Sequence, residues 1–86
     1  MQVSILLIIE VADISLKYDR TTKLTLYAEN QIPEYWIANL ERGTLEIYRQ
    51  PQNKNYLKQT VIDTPQITFA PLAFLHLNMT LKNIYG

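Results

Sequence analysis

A run of five isoleucine and leucine residues, Ile5 to Ile9, opens the hydrophobic pattern of the chain. A run this short, bounded by polar residues, is typical of a β-strand that is covered on both faces. We therefore expect a first strand from about Ser4 to Val11. Glu10 ends the run, and a buried carboxylate is costly unless it has a partner.

After the first strand, a polar loop leads to a segment whose apolar residues have helical spacing. Asp19 is a good N-cap residue, and apolar residues then recur with a helical period, which predicts a helix from about Asp19 to Asn30. Pro33 prevents its continuation, because the residue before a proline favours extended structure. Lys23 lies one turn into this helix. A strand that carries a carboxylate is thus followed closely by a helix that carries a lysine.

Three short segments, the first apolar and aromatic and the second strictly alternating, indicate antiparallel strands in the next part of the chain, a β-meander. The expected strands are Glu34 to Leu40, Thr44 to Arg49 and Tyr56 to Ile62. In the second, Leu45 and Ile47 share one face while Glu46 lies on the other, which predicts a half-buried strand. Gly43 suits the turn before it, because glycine adopts positive φ freely.

The last twenty residues carry a weaker pattern. Alternation from Phe74 to Met79 suggests a short strand, and Thr80 can cap a final helical turn through Tyr85. The expected fold class is therefore α/β (α+β): a strand and a helix, an antiparallel β-meander and a short C-terminal helix.

Length, charge and cysteine content limit the functional classes. A chain of 86 residues is one small domain or part of a larger one. It has no cysteine, so neither a disulfide nor a thiolate zinc site can form. Eight basic and eight acidic residues cancel, which removes the broad positive field of a non-specific DNA-binding protein. Without a basic signal-peptide start or a membrane span, the expected compartment is the cytoplasm.

The residues alone leave two interpretations of the charged groups open. Glu10 is a structural carboxylate paired with Lys23 or Arg20, or it is part of a metal site that Lys23 assists. Lys17, Arg20 and Lys23 form a basic patch that can meet a phosphate or simply face solvent. Asp19 reads as a helix cap. Aromatic residues 35 and 36 read as core, and residue 76, the lone histidine, has no ligand partners at useful spacing.

Three segments together resemble the C-terminal half of a bacterial restriction-endonuclease family of the PD-(D/E)XK nuclease superfamily. They are IIEVAD, YDRTTKLTLYA and IPEYWIANLERGTLEIYRQP. The combination is specific to the family, and the resemblance extends over about residues 6–85. It implies a partial restriction-endonuclease-like core, DNA as the partner, and Mg²⁺-dependent hydrolysis of phosphodiester bonds.

The resemblance also implies roles for individual residues. Glu10 matches the second metal-binding acid, and the carbonyl of Val11 would be a further ligand. Ala12 stands where the superfamily usually has its lysine, and the displaced lysine matches Lys23. Asp19 and Tyr27 match family positions on the helix, and with residue 20, an arginine, they would support the site.

One departure from the family has functional consequences. The first acid, which the family carries on an upstream strand, has no counterpart, so we expect a single N-terminally truncated domain that is inactive alone. The alternative is a non-catalytic interaction or remnant protein that assembles through its exposed sheet. A first strand apolar on both faces but covered by one helix also predicts a homo-oligomer, most simply a dimer. Gln31, where the family often has glycine, is a smaller departure.

Overall fold

The computed structural model describes residues 4–86. Its elements, in chain order, are β1 (Ile8–Ala12), α1 (Leu16–Tyr18), a π-helical segment (Asp19–Lys23), α2 (Leu24–Glu29), β2 (Glu34–Asn39), β3 (Thr44–Gln52), β4 (Asn55–Ile62), a 3₁₀ turn (Leu72–Phe74) and α3 (Leu81–Tyr85). The first three helical segments follow one another without a break. Residues 16–29 therefore form one helix with a wide turn at its middle.

The four strands form one mixed sheet in the order β1-β2-β3-β4. The helix connects β1 to β2, and these two strands are parallel. The pairs β2–β3 and β3–β4 are antiparallel, as the meander predicts. In the register, Glu10 lies opposite Ile37, and Ile37 lies opposite Glu46. The predicted α+β class is confirmed.

Each face of the sheet has its own core, because successive side chains of a strand point to opposite faces. The core between the sheet and the helix consists of Ala12, Leu24, Ala28, Tyr35, Ile37, Tyr48 and Tyr56. The residues that pack with the C-terminal segment are Trp36, Ala38, Leu45, Ile47, Ile62, Phe69 and Leu81. The predicted core role of Tyr35 and Trp36 is confirmed, since both are fully buried. The sheet is thus the middle layer of three.

Within residues 4–86, the first strand is covered on one face only. The ordered strand begins at Ile8, and β1 lies at an edge of the sheet. Its helix-facing side is covered, whereas Ile9 is 50% and Val11 62% exposed on the opposite side. The C-terminal segment packs on Trp36 and the central strands and leaves this side of β1 open.

The helix begins earlier than predicted, and it ends in a left-handed residue. The helix begins at Leu16 with Ser15 at the N-cap, so the predicted N-cap role of Asp19 is wrong. At the other end, Gln31 has φ of +56°, the left-handed conformation. The N–H of Gln31 donates to the carbonyl of Ala28, and that of Ile32 donates to the carbonyl of Tyr27, each at 3.0 Å. This is a Schellman motif, whose left-handed position favours glycine.

The C-terminal segment folds back over the sheet. The expected strand from Phe74 to Met79 is wrong: Met79 forms a single bridge with Phe69, and a 3₁₀ turn precedes it. The predicted cap at Thr80 is confirmed, and its N–H donates to Asn83 Oδ1 at 2.8 Å. No helix within residues 4–86 is long and apolar enough to cross a bilayer.

A buried carboxylate fixes this segment to the sheet. Glu34 accepts hydrogen bonds from Trp36 Nε1 at 2.6 Å, from Arg49 Nε at 2.8 Å and from the Leu72 N–H at 2.8 Å. Arg49 also donates to the carbonyl of Ala70 at 2.6 Å. Glu34 is completely buried, and these donors satisfy it. Its role is structural.

Candidate functional site

Glu10 projects from β1 towards the helix. It shares this face with Ala12, two residues on, which packs in the helix-side core. Its Oε1 accepts a hydrogen bond from Tyr27 Oη at 2.8 Å, and its Oε2 lies 3.2 Å from Lys23 Nζ. The side chain is 26% exposed. The carboxylate is therefore held by two groups of one helix and is still open to solvent.

Lys23 bridges two carboxylates. Its Nζ lies 3.2 Å from Glu10 Oε2 and 3.2 Å from Asp19 Oδ1. The interaction with the Asp19 carboxylate, followed by the hydrogen bond with Glu10, raises the pKa of Lys23 above its ordinary value. The ammonium is consequently a proton donor and a positive charge at neutral pH, and it cannot serve as a general base in this arrangement.

Asp19 is the buried member of the cluster, with a side chain that is 1% exposed. Its Oδ2 accepts a hydrogen bond from Ser15 Oγ at 3.2 Å, and its backbone carbonyl accepts one from Tyr35 Oη at 3.2 Å. Within residues 4–86, Oδ1 makes no hydrogen bond of acceptable geometry. The Lys23 ammonium lies near it as an ion-pair partner.

The π-helical segment aligns the residues that face Glu10. An α-helix advances about 100° per residue, so residues spaced by four drift about 40° around the helix axis at each step. The wider turn at Asp19–Lys23 reduces this advance over its length. Asp19, Lys23 and Tyr27 therefore lie along one line of the helix surface. Single π turns of this kind are frequent at functional sites.

Arg20 belongs to a neighbouring ion pair. Its Nε donates to both Glu46 carboxylate oxygens, at 2.9 and 3.1 Å, and Nη2 adds a third contact. Tyr48 Oη also donates to Glu46, at 2.6 Å. The Glu46 hydrogen bond raises the pKa of Arg20. Of the two partners considered for Glu10, the structure selects Lys23. The basic patch is also largely neutralised, because both Arg20 and Lys23 are in ion pairs with carboxylates, and Lys17 is exposed.

Val11 presents its backbone rather than its side chain to the site. The carbonyl of Ala12 accepts the N–H of Leu40 at 3.0 Å and so points towards β2. Because carbonyls alternate along a strand, that of Val11 points away from β2, towards the open edge of the sheet. It lies on the outer side of β1, where a bound ion or another strand can reach it.

The donor set suits a hard cation but is small. Carboxylate and carbonyl oxygens are the ligands that Mg²⁺ prefers, and it often binds through one or two carboxylates. No cluster of three or more Asp, Glu, His or Cys side chains occurs in the described part of the chain. Glu10 and Val11 thus fit the cation that the family resemblance implies, as part of a larger set.

Two residues that hold the charged groups of the helix were not predicted from the sequence. Glu46 was assigned to the polar face of a half-buried strand, yet it is 1% exposed beneath the helix. Ser15 was placed in a loop, yet its hydroxyl holds Asp19. The burial of Glu46 could have been predicted, because the helix that follows β1 must cover one face of the central strands, and Glu46 lies on one face of β3. The sequence carries no comparable signal for Ser15.

The chain thus combines a mixed sheet, a helix on one of its faces and an acid–lysine pair between strand and helix. The model of the Uma2 family, described as "Putative restriction endonuclease", matches residues 1–82, and the chain belongs to this family. A solved structure with the same fold is a putative nuclease belonging to DUF820 from Anabaena variabilis ATCC 29413. It shares 22% sequence identity and a TM-score of 0.65 over 94% of this chain. The chain spans 45% of the length of that nuclease. No curated protein matches the sequence.

Proposed function

We propose that the chain carries part of the active site of a Mg²⁺-dependent DNA endonuclease that hydrolyses phosphodiester bonds. The observation that supports this most is the contact between Glu10 on β1 and Lys23 on the helix, at 3.2 Å. The resemblance implies these two residues, and they are 13 positions apart in the sequence. The proposal treats residues 1–86 as one nuclease-like domain that acts in the cytoplasm.

Each residue has a distinct role in this proposal. Glu10 and the carbonyl of Val11 would hold Mg²⁺, which, when bound, supplies an activated water and stabilises charge on the phosphate. Lys23, kept protonated, donates hydrogen bonds to a phosphate oxygen as negative charge develops there. Tyr27 fixes the carboxylate of Glu10 through Oη. Its own pKa is raised by burial and by that hydrogen bond, so it remains a donor.

Cleavage is proposed to need one more acid. The family resemblance places it on a strand before β1, and the open edge of β1 is where such a strand can pair. A single strand carboxylate and a carbonyl hold a hydrated cation poorly. We therefore expect the 86 residues alone to leave plasmid DNA intact in Mg²⁺ or Mn²⁺.

The test compares two proteins on supercoiled plasmid. One is the 86-residue chain, and the other is the same chain preceded by an upstream segment that carries the aspartate. The longer protein should nick the plasmid in Mg²⁺, and EDTA or Glu10→Gln should abolish nicking. Cleavage that persists in Glu10→Gln would contradict the metal-binding role of Glu10.

A second candidate function, assembly through the sheet edge, rests on a different observation. The two edge strands differ: β4 carries Lys58 among its exposed residues, whereas β1 exposes Ile9 and Val11. Lysine on an edge strand blocks pairing with another chain, and an apolar edge permits it. The charge of Glu10 on β1 is paired with Lys23, so this edge can meet a second copy of itself without strong charge repulsion. We therefore propose a twofold homodimer through β1.

A further inference from the structure

Asp19 differs from the two other fully buried carboxylates whose contacts are described above. Glu34 accepts hydrogen bonds from three separate groups, and Glu46 accepts them from an arginine and a tyrosine. Asp19 Oδ1 is equally buried, yet it makes no hydrogen bond of acceptable geometry within residues 4–86. A buried carboxylate oxygen is costly unless it is paired, and the partner of this oxygen in the described residues is the Lys23 ammonium at 3.2 Å. The stability of the buried charge therefore depends on a side chain that is itself 31% exposed.

The group that lies near this oxygen is the ammonium of a long, partly exposed side chain. Lys23 Nζ is 3.2 Å from Asp19 Oδ1 and 3.2 Å from Glu10 Oε2. Its side chain is 31% exposed and ends a flexible four-carbon stem. The ammonium therefore sits between two carboxylates from different elements, and it can leave without disturbing the backbone. Any cation that bound both carboxylates would have to take its place.

We propose that a divalent cation competes with the Lys23 ammonium for this pair of carboxylates, which makes Asp19 a cation ligand beside Glu10. The carboxylates bind the ion directly or through one of its waters, and Mg²⁺ and Mn²⁺ are the ions that suit such oxygen ligands. This inference rests on the proposed function only in assigning a cation to Glu10. It adds a second acid, and it adds a consequence: loading the ion frees Lys23 to turn towards a substrate phosphate.

Direct measurement of Mn²⁺ binding tests the competition without any nuclease assay. Isothermal titration, or the loss of the free Mn²⁺ electron paramagnetic resonance signal, is recorded at constant pH and ionic strength. Lys23→Met removes the competing ammonium and should tighten Mn²⁺ binding about tenfold, a modest effect because both ion pairs are partly exposed. Asp19→Asn and Glu10→Gln should each weaken binding about tenfold or more.

Charge-matched variants serve as controls. Lys17→Met removes one positive charge from the exposed side of the same helix, and Glu29→Gln removes one negative charge from its end. Both should bind Mn²⁺ within twofold of the original protein. Thermal melting of every variant confirms folding. If Asp19→Asn unfolds, the Lys23→Met variant still tests the competition. The Lys23 side chain is partly exposed, so its replacement should leave the protein folded.

The outcomes separate this inference from the proposed function. Binding that is unchanged or weaker in Lys23→Met overturns the competition, as does undetectable binding in both it and the original protein. Binding lost in Glu10→Gln but kept in folded Asp19→Asn rejects Asp19 alone and leaves the role of Glu10 standing. Unchanged binding in Glu10→Gln instead removes the metal assignment of the proposed function.

Discussion

Glu10 and Glu46 lie in one row across the sheet, with Ile37 between them, and each is paired with a different base of the π-helical segment. Glu46, held by Arg20, is buried, whereas Glu10, held by Lys23, is 26% exposed. The two ion pairs are similar in kind and differ in access to solvent. In the proposed function, the Arg20–Glu46 pair is structural and the Lys23–Glu10 pair takes part in the chemistry.

This difference predicts effects of unequal size on stability. Glu46→Gln leaves the Arg20 guanidinium without its charged partner and should lower the free energy of unfolding by about 1–3 kcal/mol. Glu10→Gln should lower it by less than about 1 kcal/mol, because that pair is partly exposed and screened. Urea denaturation measures both, with Glu41→Gln on the exposed β2–β3 turn as control. A larger loss in Glu10→Gln would reverse the assignment.

The left-handed residue at the end of the helix predicts a stabilising substitution. Gln31 has φ of +56°, a conformation that glycine adopts without the steric cost of a Cβ. Gln31→Gly should raise the free energy of unfolding by about 0.5–1 kcal/mol. Gln31→Ala, which keeps the Cβ, should bring no gain. Equal melting temperatures for the glycine and alanine variants would disprove the explanation.

Buried tyrosines predict alkaline unfolding. Burial raises the pKa of Tyr56 to about 12, and its Oη donates to the carbonyl of Ile32 at 2.7 Å. The unfolded chain releases this proton near pH 10, before the folded protein does, so the contribution of Tyr56 is constant below pH 10. Between pH 10 and 12, stability should fall by about 1.4 kcal/mol per pH unit for this residue.

Denaturation at a series of pH values checks this slope. Tyr56→Phe removes the titrating group and should flatten the alkaline decline by one proton, while Tyr35, Tyr48 and Tyr85, whose pKa values are also raised by burial, retain theirs. An identical slope in the variant would show that Tyr56 titrates alike in the folded and unfolded states.

The open edge of β1 predicts self-association. Multi-angle light scattering over a dilution series should give twice the monomer mass at high concentration, and Val11→Lys should give monomer, because a charge opposes edge pairing. Leu57→Lys, on the exposed surface of β4, is the control and should leave the mass unchanged. A folded monomer at every concentration would exclude the dimer.

The sequence pattern predicted the β-meander well, but it predicted the first strand and the C-terminal segment poorly. The sequence placed β2 and β4 within one residue of their observed ends, because Pro33 and the polar turns mark where these strands begin and end. The apolar run at Ile5 to Ile9 predicted burial, but burial depends on which neighbours a strand has. The period of Phe74 to Met79 was too weak to separate a strand from a turn.

The candidate site was also predicted only in part. Glu10, Lys23 and Tyr27 were selected through the family resemblance, and the structure brings them into contact. Asp19 was selected but misread as a cap, because the helix begins three residues earlier, at Leu16, and Asp19 lies buried within it. No residue type announces a π turn, so the alignment of these side chains could not be predicted from the sequence.

The role of Lys23 is the central claim, and one rate comparison tests it most directly. In the longer, aspartate-bearing protein, plasmid nicking in Mg²⁺ should fall at least about a hundredfold in Lys23→Met, the loss expected for a donor to developing charge. Tyr27→Phe should lose less, and Lys54→Met, on the exposed β3–β4 turn, should keep the original rate. Full activity in folded Lys23→Met would contradict the account and return Lys23 to a structural ion pair.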